Sequence, residues 1–441
     1  VTIMTNGAGN IEFQNDSGPF TFPTPPRTLL LQAEGNVSVE RLSTSDVTDG
    51  PLNLVINASS AVSVATTGDG VNINGGDFNS TGTDFSCNQA CVDTIGGDVL
   101  LNHSGSVSIE DGGVATDGGG FTSNGTDFSC NGSCIATSGG DITLNHTGSV
   151  SITNGGASTN GGEFTSSGTD FSCSDGCLST GGGDITLNHT GSVSITNGGA
   201  STNGGEFTSS GTDFSCSDGC LSTGGGDITL NHTGSVSITN GGASTNGGEF
   251  TSNGTDFSCD GGCIYTTNSS VAADITLNHT GNVSIADGGV NTTGGRIVIK
   301  AVGDIAISGD GYGVASNGGA ITLYYSANFA LATGAIISSG DPSTSGGQII
   351  LHATDSMTIE GDVTSESGSG GTVAVDEGVI VNGTTTAGAG NVRLYLRSKP
   401  SLLKILGLDT VPVPALSALG VGLLTGLMLL LGCHCRRQTL A

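Results

Sequence analysis

Hydrophobic and polar residues alternate with a period of two along most of the chain, in short stretches separated by Gly, Asn and Ser. In residues 141–152 this alternation places Ile142, Leu144, Val150 and Ile152 on one face and Thr, Asn and Ser side chains on the other. Side chains of a β-strand point alternately to opposite faces. Each stretch therefore predicts a short strand with one buried and one solvated face.

A 43-residue repeat organises these strands. A pair of Cys residues recurs at this interval, and residues 141–183 and 184–226 are identical. Each repeat divides into halves of about 21 residues that share one plan: Gly-Gly, an acidic residue, two alternating strands and a polar turn. One such half cannot bury its inward side chains alone, whereas stacked copies can. We therefore predict an all-β fold, a right-handed parallel β-helix in which each half is one coil.

The repeat pattern also predicts the domain boundaries. The β-helix is expected over residues 28–398, with the regular Cys-containing repeats at 73–290 and irregular coils at 291–398. Residues 1–27 are interpreted as an irregular start or a truncated coil.

The irregular coils carry a motif found in a known family. Segments such as GGRIVIKAVGDIAISG, which begins at Gly294, follow the pattern GG-x-[IV]-x-[ILV] and then G-[DNS]-[IV]-x-[IV]. This pattern resembles the filamentous-haemagglutinin-like repeats of large bacterial surface proteins. The resemblance covers most of residues 28–398 and implies a β-helical surface protein, with no particular enzymatic activity.

The C-terminal end has a different pattern. Residues 415–433 form a run of 19 residues without a charge, and Arg436 and Arg437 follow it. An α-helix rises 1.5 Å per residue, so about 19 residues come close to crossing a hydrocarbon layer of about 30 Å. We predict a transmembrane helix at 415–433, preceded by a linker at 399–414 and followed by a cytoplasmic basic tail at 434–441.

The flanks of this segment resemble bacterial sorting tails of the IPTL-CTERM and PEP-CTERM type. Val411, Pro412 and Pro414 precede the apolar run, and Arg436 and Arg437 end it. The Trp-Gly usual in these tails is replaced by Ala-Leu-Gly. The resemblance implies export, processing by an exosortase-like membrane protease, and a location at the cell surface or outside the cell, with at least transient anchoring in the membrane.

The charge balance narrows the range of functions. The chain has 39 acidic and 10 basic residues, and 25 of the acids but no Lys or Arg lie between residues 42 and 295. A protein that binds nucleic acid needs a basic face to neutralise phosphate, so no nucleic-acid partner is expected. With 14 Phe, 5 Tyr and no Trp, the core is expected to be narrow.

One acidic residue recurs at the start of each successive coil from residue 141 to residue 249 and should form a column spaced by about 4.8 Å. Like charges at this spacing repel, and the protein supplies no Lys or Arg to neutralise them. Ca²⁺ is the candidate cofactor, because it prefers carboxylate and carbonyl oxygens. The alternative is a solvated acidic stripe that keeps the rod soluble. The predicted column consists of Asp141, Glu163, Asp184, Glu206, Asp227 and Glu249.

The ten repeat cysteines form five C-x3-C pairs. Equivalent pairs lie two coils apart, about 9.6 Å, which is too far for four thiolates to share one zinc ion. In an exported protein we therefore expect a local disulfide at the turn of every second coil. The predicted disulfides are Cys87–Cys91, Cys130–Cys134, Cys173–Cys177, Cys216–Cys220 and Cys259–Cys263.

Four histidines keep the same 43-residue interval: His103, His146, His189 and His232. Neighbouring histidines would again lie two coils apart, which argues against a shared metal. Each one lies just past a predicted strand, so it is interpreted as an exposed turn residue.

These observations favour an exported stalk or adhesin-like structural protein that acts through a repeated display surface. Its ligand would be a glycan or protein of a host or matrix surface. The alternatives are a carbohydrate-active β-helix enzyme (a polysaccharide lyase or hydrolase) and a calcium- or ice-binding solenoid. No enzyme is predicted, because a catalytic site needs several unrepeated groups in one cleft. The unrepeated candidates Lys300, Tyr312, Tyr324, Tyr325 and Glu360 form no recognisable constellation in the sequence.

Overall fold

The computed structural model describes residues 1–5, 7–13, 27–43, 50–64, 70–267, 272–325, 327–340, 347–365, 373–375, 379–387 and 392–396. These residues form a parallel β-solenoid in which each coil contributes one strand to each of three sheets. The prediction of an all-β parallel β-helix is confirmed. The predicted transmembrane helix at 415–433, its linker and the basic tail lie outside the described residues. Within the described ranges, no helix has the length and apolar character needed to span a membrane.

The 51 strands are numbered in chain order. Sheet A is built from the first strand of each coil and contains 18 of the described strands. They are β1 (Thr2–Met4), β3 (Arg27–Ala33), β6 (Leu52–Ala58), β9 (Phe78–Gly82), β12 (Val99–His103), β15 (Phe121–Gly125), β18 (Ile142–His146), β21 (Phe164–Gly168), β24 (Ile185–His189), β27 (Phe207–Gly211), β30 (Ile228–His232), β33 (Phe250–Gly254), β36 (Ile275–His279), β39 (Ile297–Ala301), β42 (Ile321–Tyr325), β45 (Ile349–Ala353), β48 (Val373–Val375) and β51 (Val392–Leu396).

Sheet B is built from the second strand of each coil and contains 17 of the described strands. They are β2 (Ile11–Phe13), β4 (Val37–Val39), β7 (Val62–Val64), β10 (Phe85–Asn88), β13 (Val107–Glu110), β16 (Phe128–Asn131), β19 (Val150–Thr153), β22 (Phe171–Ser174), β25 (Val193–Thr196), β28 (Phe214–Ser217), β31 (Val236–Thr239), β34 (Phe257–Asp260), β37 (Val283–Ala286), β40 (Ile305–Ser308), β43 (Asn328–Leu331), β46 (Ser356–Ile359) and β49 (Ile380–Val381).

Sheet C is built from the third, shortest strand of each coil and contains 16 of the described strands. They are β5 (Leu42–Ser43), β8 (Val71–Asn72), β11 (Val92–Asp93), β14 (Val114–Ala115), β17 (Ile135–Ala136), β20 (Ala157–Thr159), β23 (Leu178–Thr180), β26 (Ala200–Thr202), β29 (Leu221–Thr223), β32 (Ala243–Thr245), β35 (Ile264–Thr266), β38 (Val290–Thr292), β41 (Gly311–Ala315), β44 (Ala335–Ser338), β47 (Asp362–Ser365) and β50 (Thr385–Ala387).

Two kinds of coil alternate in the regular repeats. We call residues 141–162 and their equivalents a histidine coil, and residues 163–183 and their equivalents a cysteine coil. The inward side chains of sheet A read Ile-Leu-His in a histidine coil and Phe-Ser-Gly in a cysteine coil, and the parallel register sets these rows directly against each other. A large side chain therefore meets a smaller one at these positions, an arrangement that favours close packing of a narrow core.

The corner between sheets B and C follows the same rule. A cysteine coil holds its disulfide here, whereas the histidine coil has an Ile and a Gly at the equivalent positions. A Cβ atom on Gly199 would lie 2.3 Å from Cγ2 of Ile195 and 3.2 Å from Sγ of Cys173. Glycine is required because the Ile methyl group already fills that space. The Ile and Gly pair thus occupies the volume that the disulfide takes in the next coil.

The corner between sheets C and A is closed by Thr and Gly. The buried hydroxyl of Thr159 donates to the carbonyl oxygen of Gly162. A Cβ atom at Gly162 would come within 2.3 Å of the carbonyl oxygen of Gly140 in the preceding coil. The Gly-Gly signature of the sequence therefore marks the place where successive backbones approach most closely.

Candidate functional site

The predicted acidic column lies at the corner where each coil enters sheet A. Asp141 immediately precedes β18 and Glu163 immediately precedes β21, and these two strands pair in register. The same arrangement recurs at Asp184, Glu206, Asp227 and Glu249. The structure therefore places the predicted carboxylates at equivalent positions along one edge of the solenoid.

The aspartates of this column have a structural role that the sequence did not reveal. Oδ1 of Asp141 accepts a hydrogen bond from the backbone N–H of Glu163 at 2.9 Å. Equivalent bonds join Asp184 to Glu206 at 2.8 Å and Asp227 to Glu249 at 2.7 Å. A carboxylate that accepts a backbone N–H is stabilised by a charge-assisted hydrogen bond. Each Asp therefore joins its coil to the next.

Two further acidic columns lie at the other corners. Between sheets A and B, Oδ1 of Asp170 accepts the backbone N–H of Ser192 at 2.8 Å, and the pattern recurs every second coil. Between sheets B and C, Asp175 has a φ of 59° and its carboxylate accepts a bond from the amide of Asn197 at 3.1 Å. Ser and Asn thus alternate with the acids and separate like charges along these two edges.

The carboxylates on which the calcium prediction rests lie one per coil along an edge of the solenoid and do not form a cluster. In the described part of the chain, no group of three or more His, Cys, Asp or Glu side chains comes close enough to hold a metal ion. An open groove of about 590 Å³ on the outer face of sheet A is lined among others by Asp77, Asp98, Gly120 and Asp141. Calcium binding stays a prediction.

All five predicted disulfides are present. In each pair the first Cys lies on sheet B and the second immediately precedes the strand of sheet C. The two Cα atoms are 5.5–5.8 Å apart, within the range that a disulfide spans. All ten cysteines are at most 2% exposed. Each disulfide is therefore an inward part of the core as well as a clamp on the corner.

The interpretation of the histidines as exposed turn residues is wrong. His103, His146, His189 and His232 are between 3% and 5% exposed, and a fifth member, His279, is 2% exposed. Each one is the last inward residue of its strand in sheet A. The signal was in the alternation itself, because His146 has the same parity as Ile142 and Leu144. His279 departs from the 43-residue interval because the cysteine coil before it is longer.

The surroundings of each buried imidazole are nearly identical. Nε2 of His146 lies 3.1 Å from Oγ of Ser123, and the ring lies 5.3 Å from that of Phe128. A Cβ atom on Gly125 would be 3.2 Å from the Nδ1 atom. The Nδ1 atoms of all five histidines are buried without a hydrogen-bond partner. The site therefore accommodates a neutral imidazole in which only Nε2 has a polar partner.

Burial controls the proton affinity of these rings. It lowers the pKa of each of the five histidines from 6.5 to about 4, against the weaker opposing attraction of a nearby aspartate, which is Asp127 for His146. The charged form is disfavoured because it would lose hydration inside the core.

The structure brings together some of the unrepeated candidates and separates others. Lys300, Tyr324 and His352 occupy one outward column of sheet A in successive coils, and the rings of Tyr324 and His352 lie 6.2 Å apart. Arg393 lies in the neighbouring outward column, in register with Ile350. We call these four residues the cationic–aromatic strip. Because these coils differ in length, the residues of the strip are unevenly spaced along the chain, and their spacing does not indicate that they align.

The remaining unrepeated candidates face elsewhere. Tyr312 lies on the outer face of sheet C and is 55% exposed. Tyr325 points into the core, where burial raises the pKa of its hydroxyl. Glu360 follows the strand β46 of sheet B, where its carboxylate accepts a bond from Thr333 at 3.5 Å. These residues therefore do not share a cleft with the cationic–aromatic strip.

Comparison of the chain with protein-family models, curated proteins and solved structures finds no match.

Proposed function

We propose that the protein is an exported surface stalk that presents a repeated face to its surroundings and acts as an adhesin-like structural element. One observation supports this proposal above the others. From residue 142 to residue 254, every outward residue of the described strands, apart from glycine, is Thr, Ser or Asn. Charge is confined to the corners. Such a surface can make many weak, equivalent contacts, but no single coil of this segment presents a distinctive group of reactive or charged side chains on its strands.

The proposal includes the features that the sequence alone indicates: right-handed winding, a C-terminal membrane segment at 415–433 and processing of the tail by an exosortase-like protease. Parallel strands joined by crossovers wind almost always in the right-handed sense. A disulfide in every second coil fits an oxidising location outside the cytosol.

Localisation provides the first test. Intact cells that express the full chain should be labelled by an antibody against the solenoid. Deletion of residues 399–441 should release the labelled protein into the medium, and replacement of Arg436 and Arg437 by Ser should change its processing. Labelling that appears only after the cells are permeabilised would contradict export.

Ligand binding provides the second test, and the cationic–aromatic strip is the place to look for it. Tyr324 is 44% exposed there, and Lys300 and Arg393 add positive charge to an otherwise acidic rod. A panel of polysaccharides should reveal binding without shortening of the polymer, since a lyase or hydrolase must cleave its substrate. Lys300→Asn with Tyr324→Asn restores the residue type of the regular repeats and should weaken binding. Tyr312→Ser on sheet C is the matched control.

A further inference from the structure

Protonation of the buried histidines would create a group that the core cannot accommodate. A neutral imidazole needs only the Ser hydroxyl at Nε2, whereas an imidazolium donates from both nitrogens. In His146, Nδ1 faces the bare backbone of Gly125, and a second N–H there would find no acceptor. An unpaired buried donor costs about 1–3 kcal/mol, and a buried charge costs more.

The neighbours of the ring offer little compensation. Ser123 and Phe128 belong to the preceding cysteine coil, and neither one carries charge. The charged group that acts on the imidazole of His146 is the carboxylate of Asp127, at the corner between sheets A and B. Oδ1 of Asp127 already accepts the backbone N–H of Ser149 at 2.8 Å. The same set of partners recurs around the other four histidines.

The direction of the pH effect follows from the two states. In the unfolded chain a histidine has a pKa near 6.5, whereas in the folded solenoid burial holds that pKa at about 4. Above pH 6.5 the ring is neutral in both states and stability is unaffected. As the pH falls from 6.5 towards 4, the unfolded chain binds protons that the folded chain does not, so the folded state loses stability.

We propose that the column of five buried histidines is an acid-triggered device. On acidification it opens the regular repeats, while the coils that begin at residue 296 stay folded. In those C-terminal coils the equivalent inward positions hold Ala301, Tyr325 and Ala353. None of these side chains gains a proton between pH 7 and pH 4. The proposal goes beyond the surface-stalk function and does not depend on it.

The size of the effect depends on how many coils open together. Each histidine that becomes exposed can raise the opening constant up to tenfold for each pH unit below 6.5. A coil that opens alone exposes one histidine, so its opening constant changes only weakly with pH. Opening of the whole column exposes all five histidines and binds up to five protons. Protonation of carboxylates has two opposed effects: it relieves repulsion in a chain with a net charge of −29, and it weakens charge-assisted hydrogen bonds such as that of Asp127. The histidines are therefore identified by the variants that remove them, not by the loss of stability alone.

Hydrogen exchange on the full chain, with its disulfides intact, tests the device. Peptides from residues 99–279 and from residues 296–359 are compared at pH 7, 6 and 5, with rates corrected by an unstructured reference peptide. We expect protection of the first group to fall at least tenfold between pH 7 and pH 5, and that of the second group to change less than twofold. Equal changes in both groups would overturn the proposal.

Variants identify the responsible side chains. His189→Gln together with His232→Gln keeps a donor for the Ser hydroxyl and removes two titrating groups, so the loss of protection at pH 5 should shrink in the coils around those positions. His352→Gln on the outer face is the matched control and should retain the full response. An undiminished response in the double variant would contradict the proposal.

A measurement on the unaltered chain covers the case in which the double variant fails to fold. The Cε1–H proton resonances of the buried histidines are followed by NMR from pH 7.5 to pH 5. They should keep their neutral positions as long as the chain is folded, while His352 serves as the outer-face reference. Titration of the buried set near pH 6.5 in the folded state would overturn the proposal.

Discussion

The regular repeats and the C-terminal coils share one three-sheet architecture but fill their cores differently. In the repeats, Phe alternates with Ile, Gly with His, and a disulfide with an Ile and Gly pair. In the C-terminal coils, aliphatic side chains stack on one another, as Ile299 does on Leu323 and Leu323 on Leu351. The two regions show two ways to fill a solenoid core. Successive coils can either alternate large and small inward side chains or stack similar aliphatic side chains directly on one another.

This difference explains why the duplicated unit is 43 residues and not half of that. Duplication of one cysteine coil would set Phe on Phe and disulfide on disulfide, and duplication of one histidine coil would set His on His. A unit of two coils preserves the contact of large with small at every junction. Close packing therefore favours growth of the array by pairs of coils.

The largest effect is expected from the disulfide corner of the regular repeats. Cys173→Ser with Cys177→Ser removes the cross-link of a short loop, worth about 2 kcal/mol, and leaves two buried hydroxyls in its place. We expect a total loss of about 4 kcal/mol in the local stability of that coil, measured by hydrogen exchange.

The matched variant is Cys173→Ile with Cys177→Gly. This variant gives the cysteine coil the residues of the histidine coil. Two such pairs already stack where the regular repeats meet the C-terminal coils: Ile285 with Gly289 in the last histidine coil, and Ile307 with Gly313 in the next coil. Because volume is restored, we expect a loss of no more than about 2 kcal/mol, which is the cross-link alone. If both double variants are equally destabilised, the Ile and Gly pair does not replace the disulfide.

A smaller effect is expected at the position opposite the imidazole. Gly211→Ala would place a Cβ atom 2.5 Å from the carbonyl oxygen of Gly191, so the backbone must shift, at a cost of about 1–3 kcal/mol. Ala301 in the C-terminal coils already carries a side chain in this column. Ala301→Gly should cost only about 1 kcal/mol. Chemical denaturation followed by exchange in the two regions checks the difference, and equal costs would show that both regions pack alike.

The smallest effect is expected at the acidic corners, where the two regions should behave alike. Asp213 accepts the backbone N–H of Ser235 at 2.7 Å, and Asp304 accepts that of Asn328 at 2.9 Å. Replacement of either Asp by Ala should cost about 1 kcal/mol of local stability. Replacement by Asn keeps an acceptor oxygen and should cost less. A clear difference between the two sites would mean that the regions differ at their corners as well as in their cores.

Much of the fold and part of the candidate site could be predicted from the alternation of residues. The strands around Ile142 and Val150, the stacking of coils and the pairing of Cys173 with Cys177 follow from period and spacing. The burial of His146 was equally available from its parity with Leu144. Its position at the end of a strand, next to a polar turn, predicts exposure instead, and the two signals conflict at this residue.

What the sequence determined by itself is the coil: its length, its inward and outward faces and its disulfide. Only the tertiary structure decided which residue of one coil meets which residue of the next. Register set Gly125 against the ring of His146, and it aligned Lys300, Tyr324 and His352 although 24 and 28 residues separate them along the chain. Alternation along a strand is a local property of the backbone, whereas contacts between coils depend on the lengths of all the turns between them.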